Sequence, residues 1–477
     1  MWLVKRGAFA EKNLMTITYL KILLKMKTKY TKSILPCFFV LLALIGTLKA
    51  QEQMSLEEAI KYARQNSLTI KNAKLNQSDA DQLINERKAT GLPQVNGKID
   101  YQYYFLLPQI LLPEAFELLA KDPVTGELPP GWSRQASFAL RNNLNFGLSA
   151  SSLIFDGSYL SAVKAAKRYR DYVDLELNAK EKEISDAVRE AYLPPLLLSE
   201  GINILNKNIT NIEKLERETA AMYKEGFVEQ LDVDRLTLSL ANLNTEKENL
   251  EKQREAAVNY LKFAINYPVD KELLLTDDIN SLLVEATEED LNGTANYNSW
   301  PQYKVAEMGL ELNKLNIEVS KKGYLPSASA FASYSYGFQG DKFNDEGFWL
   351  SAGIVGLQID VPIFDGFSKR SKIQRASLAL EIARNQKKDL ERVINLELTN
   401  SRTAYNNAIS RVGSQQKNVD LAQRIYDMTQ IKYKEGVGSS LEITQAEQSL
   451  FQTQQNYTNA LYELLVAKAA LDKALGK

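Results

Sequence analysis

The chain is one unit written twice, and that duplication limits what it can fold into. Ile154-Phe155-Asp156-Gly157 returns as Ile363-Phe364-Asp365-Gly366. Tyr223-Lys224-Glu225-Gly226 returns as Tyr433-Lys434-Glu435-Gly436, 210 residues later. Gly91-Leu92-Pro93 has a counterpart in Tyr324-Leu325-Pro326. Each half therefore reads helix, Leu-Pro, strand, loop, strand, Ile-Phe-Asp-Gly, long helix, Tyr-Lys-Glu-Gly, long helix. A repeat of this size marks a duplicated structural unit. It divides the chain into a first repeat over 51–268, a linker over 269–298 and a second repeat over 299–477.

The helical parts are the easiest to read. Ile443, Leu450, Tyr457, Leu464 and Leu471 recur every seven residues, with Ala446, Thr453, Ala460, Ala467 and Ala474 three places later. This a/d spacing packs knobs into holes. The first repeat carries the corresponding rows Leu236, Leu243, Leu250, Ala257, Ala264 and Val233, Leu240, Lys247, Arg254, Leu261. Gly157–Met222 reaches about 99 Å if wholly helical, longer than a compact core allows. The spacing predicts antiparallel helical hairpins that build an elongated body. Pro194-Pro195 falls inside the first long helix, so a break or strong kink is expected near Leu193.

Other segments alternate with period two, the mark of a strand with two unlike faces. Over 95–105, Val95, Ile99, Tyr101, Tyr103 and Phe105 oppose Asn96, Lys98, Asp100 and Gln102. Over 138–154, Phe138, Leu140, Leu144, Phe146 and Leu148 oppose Arg141, Asn143, Asn145 and Ser149. A second pair is expected at about 327–338 and 355–363. The hairpin loop of the first pair, 106–137, is long and apolar; that of the second, around 339–347, is short. A half-buried sheet in a soluble protein alternates in the same way as a strand of a membrane barrel.

Composition removes several classes of function. The chain has no histidine, and Cys37 is its one cysteine. Histidine-based nucleophile systems, disulfides and thiolate metal sites are therefore excluded. Lys plus Arg number 58 and Asp plus Glu 59, so no basic excess points to nucleic acid. No phosphate loop is present, and neither enzyme activity nor a cofactor or metal is expected. From Met26, three lysines precede an apolar run from Ile34 to Leu48 and a Leu48-Lys49-Ala50 cleavage signal. We expect residues 1–50 to be a signal-peptide region, with Met26 as the start and Gln51 as the mature terminus.

In order and duplication these motifs resemble the TolC-type outer membrane efflux protein family over essentially the whole mature chain. The resemblance implies an α+β membrane protein. Four β-strands per chain would contribute to a trimeric, twelve-stranded transmembrane β-barrel, and long antiparallel coiled-coil helices would form a periplasmic α-barrel. It implies a homotrimer in outer-membrane lipid that works with a periplasmic adaptor and an inner-membrane pump. The function implied is an exit duct for efflux or type I secretion. The alternative is a periplasmic or secreted coiled-coil structural protein without channel activity.

The resemblance also assigns residues. Tyr223, Gly226, Tyr433 and Gly436 fall at the hairpin tips where an adaptor docks. Asp232 and Tyr433 match two gate positions and could join neighbouring hairpins through a hydrogen bond. Gly438 stands where the family places a gate arginine. Glu442 and Gln445 match acidic entrance positions, and only Glu442 keeps the charge.

Overall fold

The computed structural model describes residues 52–283, 286–343 and 347–477. The expected signal-peptide region and Cys37 lie outside the described residues. The chain divides into two units. In the smaller, β1 (Glu52–Met54) pairs in parallel with β6 (Leu273–Leu275), and the Thr276 amide donates to the Met54 carbonyl at 3.3 Å. The larger unit holds the other elements.

The larger unit opens with α1 (Leu56–Asn66) and α2 (Leu68–Ala89). Ser67 between them accepts the Ile70 amide at 3.5 Å, an N-cap that starts α2. Gly91-Leu92-Pro93 then breaks the helix, and β2 (Gln94–Tyr103) begins. The loop that follows is not bare. It contains a small ladder of β3 (Ile110–Leu111) with β4 (Gln135–Ala136) and a short helix α3 (Glu114–Ala120). After β5 (Asn142–Asp156) come α4 (Gly157–Lys224) and α5 (Gln230–Ala264). The linker carries a 3-10 turn at Ile279–Leu282 and α6 (Glu288–Asn292). The second repeat is α7 (Pro301–Lys322), β7 (Ser327–Gly340), β8 (Gly347–Asp360), α8 (Ser368–Lys434) and α9 (Ser440–Leu475).

Four strands form one antiparallel sheet in the order β2-β5-β7-β8. The β5–β7 pairing joins the two repeats, with Phe146 opposite Tyr336 and Leu148 opposite Tyr334. Directly opposed residues share a face, so one side collects Val95, Ile99 and Tyr101 with Phe146, Leu148, Tyr334, Tyr336, Val355 and Leu357. These side chains are exposed in the single chain; Val355 is 84% exposed and Leu357 74%. The other side carries Asn96, Lys98, Asp100, Asn143, Asn145, Ser333 and Ser335. That polarity ends at β8, where Phe348, Leu350 and Ile354 stand on the polar side. Aromatic rings gather at the loop end of the sheet, where Trp349 stacks on Tyr336 at 4.8 Å and meets Phe338 at 5.5 Å.

The second strand of each pair differs from expectation. Instead of 355–363, β8 runs from Gly347 to Asp360. Both faces of Phe348-Trp349-Leu350 are apolar, so alternation is silent there, and Pro362 cannot donate a ladder hydrogen bond. Instead of 138–154, β5 runs from Asn142 to Asp156.

The Ile-Phe-Asp-Gly motif proves to be the strand-to-helix junction. Asp156 caps α4 by accepting the amides of Ser158 at 2.7 Å and Tyr159 at 3.1 Å. Asp365 accepts the Lys369 amide at 2.9 Å in the second repeat. Gly157 lets the junction pack tightly, because a Cβ there would lie 2.5 Å from a Leu325 methyl and displace that side chain.

The expected break at Pro194-Pro195 does not occur: α4 is one helix of 68 residues through both prolines. Each proline removes one helix hydrogen bond, at a cost of about 3 kcal/mol. Burial offsets that loss. Ala191, Tyr192, Leu193, Pro195 and Leu196 are all buried, and Leu193 packs with Ile279, Leu461 and Leu465. The linker's 3-10 turn thus sits on the helix where its backbone is weakest. At 1.5 Å per residue, α4 is about 100 Å long. Among the described residues no helix is long and apolar enough to cross a membrane.

Candidate functional site

The two Tyr-Lys-Glu-Gly segments close the two helical hairpins, α4/α5 and α8/α9, and they do so identically. Gly226 (φ 77°) and Gly436 (φ 74°) adopt the left-handed conformation that glycine takes most readily. The Phe227 amide donates to the Met222 carbonyl at 2.9 Å, and the Val437 amide to the Lys432 carbonyl at 3.0 Å. Those bonds close the end of a helix onto a left-handed residue. Phe227 and Val437 protrude, 78% and 77% exposed. Tyr223 is half exposed, whereas Tyr433 is buried.

Just behind the tips the hairpins are tied together by polar side chains. The Tyr433 and Thr219 hydroxyls lie 3.1 Å apart, joining α8 to α4. Lys434 pairs with Glu218 at 3.0 Å beside them. Asp232 accepts the Glu229 amide at 3.1 Å with one oxygen and the Ser440 hydroxyl with the other. The Ser440 hydroxyl also accepts from Arg235 at 3.1 Å, so α5 grips α9 from two residues. Further along, Asn208 of α4 donates to Gln454 of α9 at 2.9 Å.

Asp232 and Tyr433 therefore sit at the same end with different partners. Within the chain, the hydrogen bond expected between them is replaced by Tyr433–Thr219 and Asp232–Ser440. Asp232 is drawn to its own helix N-terminus, a position that favours a carboxylate, and Ser440 lies across from it. Burial raises the Tyr433 hydroxyl's pKa; the Thr219 bond opposes that shift and the Asp232 charge adds to it. Glu442 and Gln445 are exposed in the first turns of α9, and the Glu442 amide donates to Ser439 at 3.3 Å. At Gly438 a Cβ would lie 3.1 Å from the Tyr433 nitrogen and 3.2 Å from Lys432, so any side chain there would crowd the turn.

Three of these partners, Thr219, Arg235 and Ser440, carried no sequence signal of their own. Serine and threonine are common on helices, and only the packing shows which ones face another hairpin. Glu447 did leave a trace: it lies in the apolar run Ile443, Ala446, Leu450. It is 4% exposed, and one carboxylate oxygen accepts the Ser239 hydroxyl at 3.0 Å. Burial holds its carboxyl above the usual carboxylate range, opposed in part by the Ser239 bond. Tyr426 packs in one cluster with Ile443, Ala446 and Leu450, and its hydroxyl is pushed up to about 12, first by burial and then by the charges of Glu447 and Asp427.

The site is built of helix ends and the side chains that tie them together. Among the described residues no cluster of histidine, cysteine or carboxylate side chains could hold a metal ion. Its parts are a two-faced sheet with open edges and paired hairpins ending in a tied tip.

The sequence matches the outer membrane efflux protein family over residues 59–267 and 298–477. It is 22% identical over 472 residues to the outer membrane protein TolC of Escherichia coli K12, covering 93% of this chain and 86% of that one. It is 24% identical over 347 residues to the pyoverdine export outer membrane protein OpmQ of Pseudomonas aeruginosa, covering 70% of each. The fold matches a crystal structure of CusC with a TM-score of 0.67 at 17% identity, covering 88% of this chain and 91% of that one. The chain belongs to the outer membrane efflux protein family and is an exit duct of the outer membrane, serving efflux or secretion.

Proposed function

We propose that three copies of this chain close one twelve-stranded barrel in the outer membrane and continue it as a helical duct into the periplasm, closed at the Tyr-Lys-Glu-Gly tips. One observation carries the reading: a four-stranded sheet with an apolar face and two unpaired edges, β2 and β8. Unpaired strand edges cannot face lipid, and four strands cannot close on themselves. Twelve strands leave a channel, whereas eight are nearly filled by side chains. The apolar face and the aromatic rings at its loop end meet lipid; β5, β7 and β8 exceed the 9–11 residues a crossing needs, and β2 falls within that range.

The protruding tips, with Tyr223, Gly226, Tyr433 and Gly436, are the docking surface for a periplasmic adaptor, which joins the duct to an inner-membrane pump. Opening separates the second hairpin from the first and breaks the Tyr433–Thr219 and Asp232–Ser440 ties. Glu442 forms a ring of three carboxylates at the entrance and favours cations. The TolC and pyoverdine-export relatives support a duct of this kind.

The test is single-channel recording in a planar bilayer. The purified protein is expected to conduct as a cation-preferring channel, and Glu442→Gln to lower that preference. A protein that stays monomeric and never conducts would overturn the reading in favour of a structural coiled-coil protein.

A further inference from the structure

Among the described residues, two buried side-chain atoms have no hydrogen-bond partner: Oε1 of Glu447 and the Tyr426 hydroxyl. Tyr426 packs near the tips with Ile443, Ala446 and Leu450, the helical neighbours of Glu447, and feels the Glu447 charge. Such orphans cost free energy, more so when the group is charged. We infer that Glu447 is a proton-operated latch between the hairpins: protonated, it lets them pack, and ionised, it drives them apart. The inference rests on the tip-gate reading above.

The surroundings of Glu447 leave its charge uncompensated. From α5 it meets Ser239, which donates to the other carboxylate oxygen. Arg235, one turn nearer the tip, is engaged with Ser440. From α8 it meets Tyr426, whose neighbour Asp427 adds negative charge. From α4 the cluster receives apolar side chains such as Ile212 and Leu215. No ion pair among the described residues includes Glu447. A buried carboxylate with no cation is relieved by binding a proton or by reaching water.

In the packed state the Glu447 carboxyl is raised above its ordinary value of 4.5. Packing is therefore fully favoured below that ordinary value and weakens as pH rises through the raised one. Separated hairpins expose Glu447 to water and lift the penalty. An acidic periplasm would hold the tip shut, and a neutral one would loosen it.

The test compares the full-length protein with Glu447→Gln in a planar bilayer across acid to neutral pH. The parent's open probability should rise with pH, by up to about tenfold per pH unit for one proton. Glu447→Gln keeps the shape without the charge, and it should stay at the low, acid-like value throughout. Glu248→Gln alters an exposed carboxylate of α5 outside the gate and should retain the rise. Ser239→Ala removes the bond that lowers the carboxyl, so the midpoint should move to higher pH, which a merely structural serine would not cause.

Thermal melts in detergent supply a second readout. Glu447→Gln should melt above the parent at neutral pH and together with it in acid. The latch is overturned if Glu447→Gln keeps the parent's pH profile while Tyr433→Phe still alters conductance. If Tyr433→Phe is silent as well, the gate is not at this end and the tip reading fails with it.

Discussion

A single hydroxyl illustrates how the tip is held. Tyr433 is buried, and its oxygen meets Thr219 across the hairpin boundary. A neutral hydrogen bond contributes about 0.5–1.5 kcal/mol net, so Tyr433→Phe should raise open probability roughly 2- to 12-fold in bilayer recordings. An unchanged value would place the restraint elsewhere. Gly438 leads to a less obvious expectation. The resemblance places an arginine at this position, and restoring it looks like a way to brace the gate. The turn is tight there, because a Cβ would press on the Tyr433 nitrogen and Lys432 and one of them would have to shift. Gly438→Arg should therefore lower the melting temperature, and a rise would show that the turn relaxes. Only part of this was legible in the sequence. The repeated Tyr-Lys-Glu-Gly marked both turns, since a left-handed residue at a helix end favours glycine. The partners of Asp232 and Tyr433 were not legible, because they depend on which helix faces lie against each other, which no local pattern records.

The elements show the same division. Heptad spacing placed α9, and Ile443, Leu450 and Leu471 are buried as the a row requires. The buried face is wider than the seam, taking in Glu447, Thr458, Leu461 and Leu465, because α9 packs on α4 and α5 as well as α8. Strand β8 hid its first half where both faces are apolar. The paired prolines misled for a different reason: their local cost is real, and tertiary burial outweighs it. Pro194 is only half buried. Pro194→Ala restores one helix hydrogen bond without opening a deep cavity, so it should raise thermal stability, by up to about 3 kcal/mol. A lower melting temperature would show that the proline shapes the helix the linker's 3-10 turn requires. Ser440→Ala should act oppositely, since it strips partners from both Asp232 and Arg235, and it should cost about 1–3 kcal/mol in the same melts.

At the scale of the whole molecule, the larger unit leaves much apolar surface uncovered. Along α8, Leu421, Ile425 and Met428 are half or more exposed, spaced so that they share one helix face. Leu231 and Leu238 of α5 are exposed in the same way. Contiguous exposed apolar patches mark surfaces that meet another molecule. The sheet faces the same problem with its open edges, and the proposed trimer solves both at once: β2 of one copy meets β8 of the next while the helical stripes close beneath them. The helical seam can be tested apart from the barrel. Ile425→Glu with Met428→Glu puts two charges on the stripe without touching the Tyr433, Asp232 or Glu447 contacts. In light scattering of the detergent-solubilised protein, the parent should run as a trimer and the double variant should dissociate, with helical circular dichroism retained. The charges should act through desolvation, because burying an unpaired carboxylate costs several kcal/mol, more than one seam residue contributes. A double variant that stays trimeric would mean that the α8 stripe faces the duct interior or an adaptor, and that barrel closure alone holds the copies together.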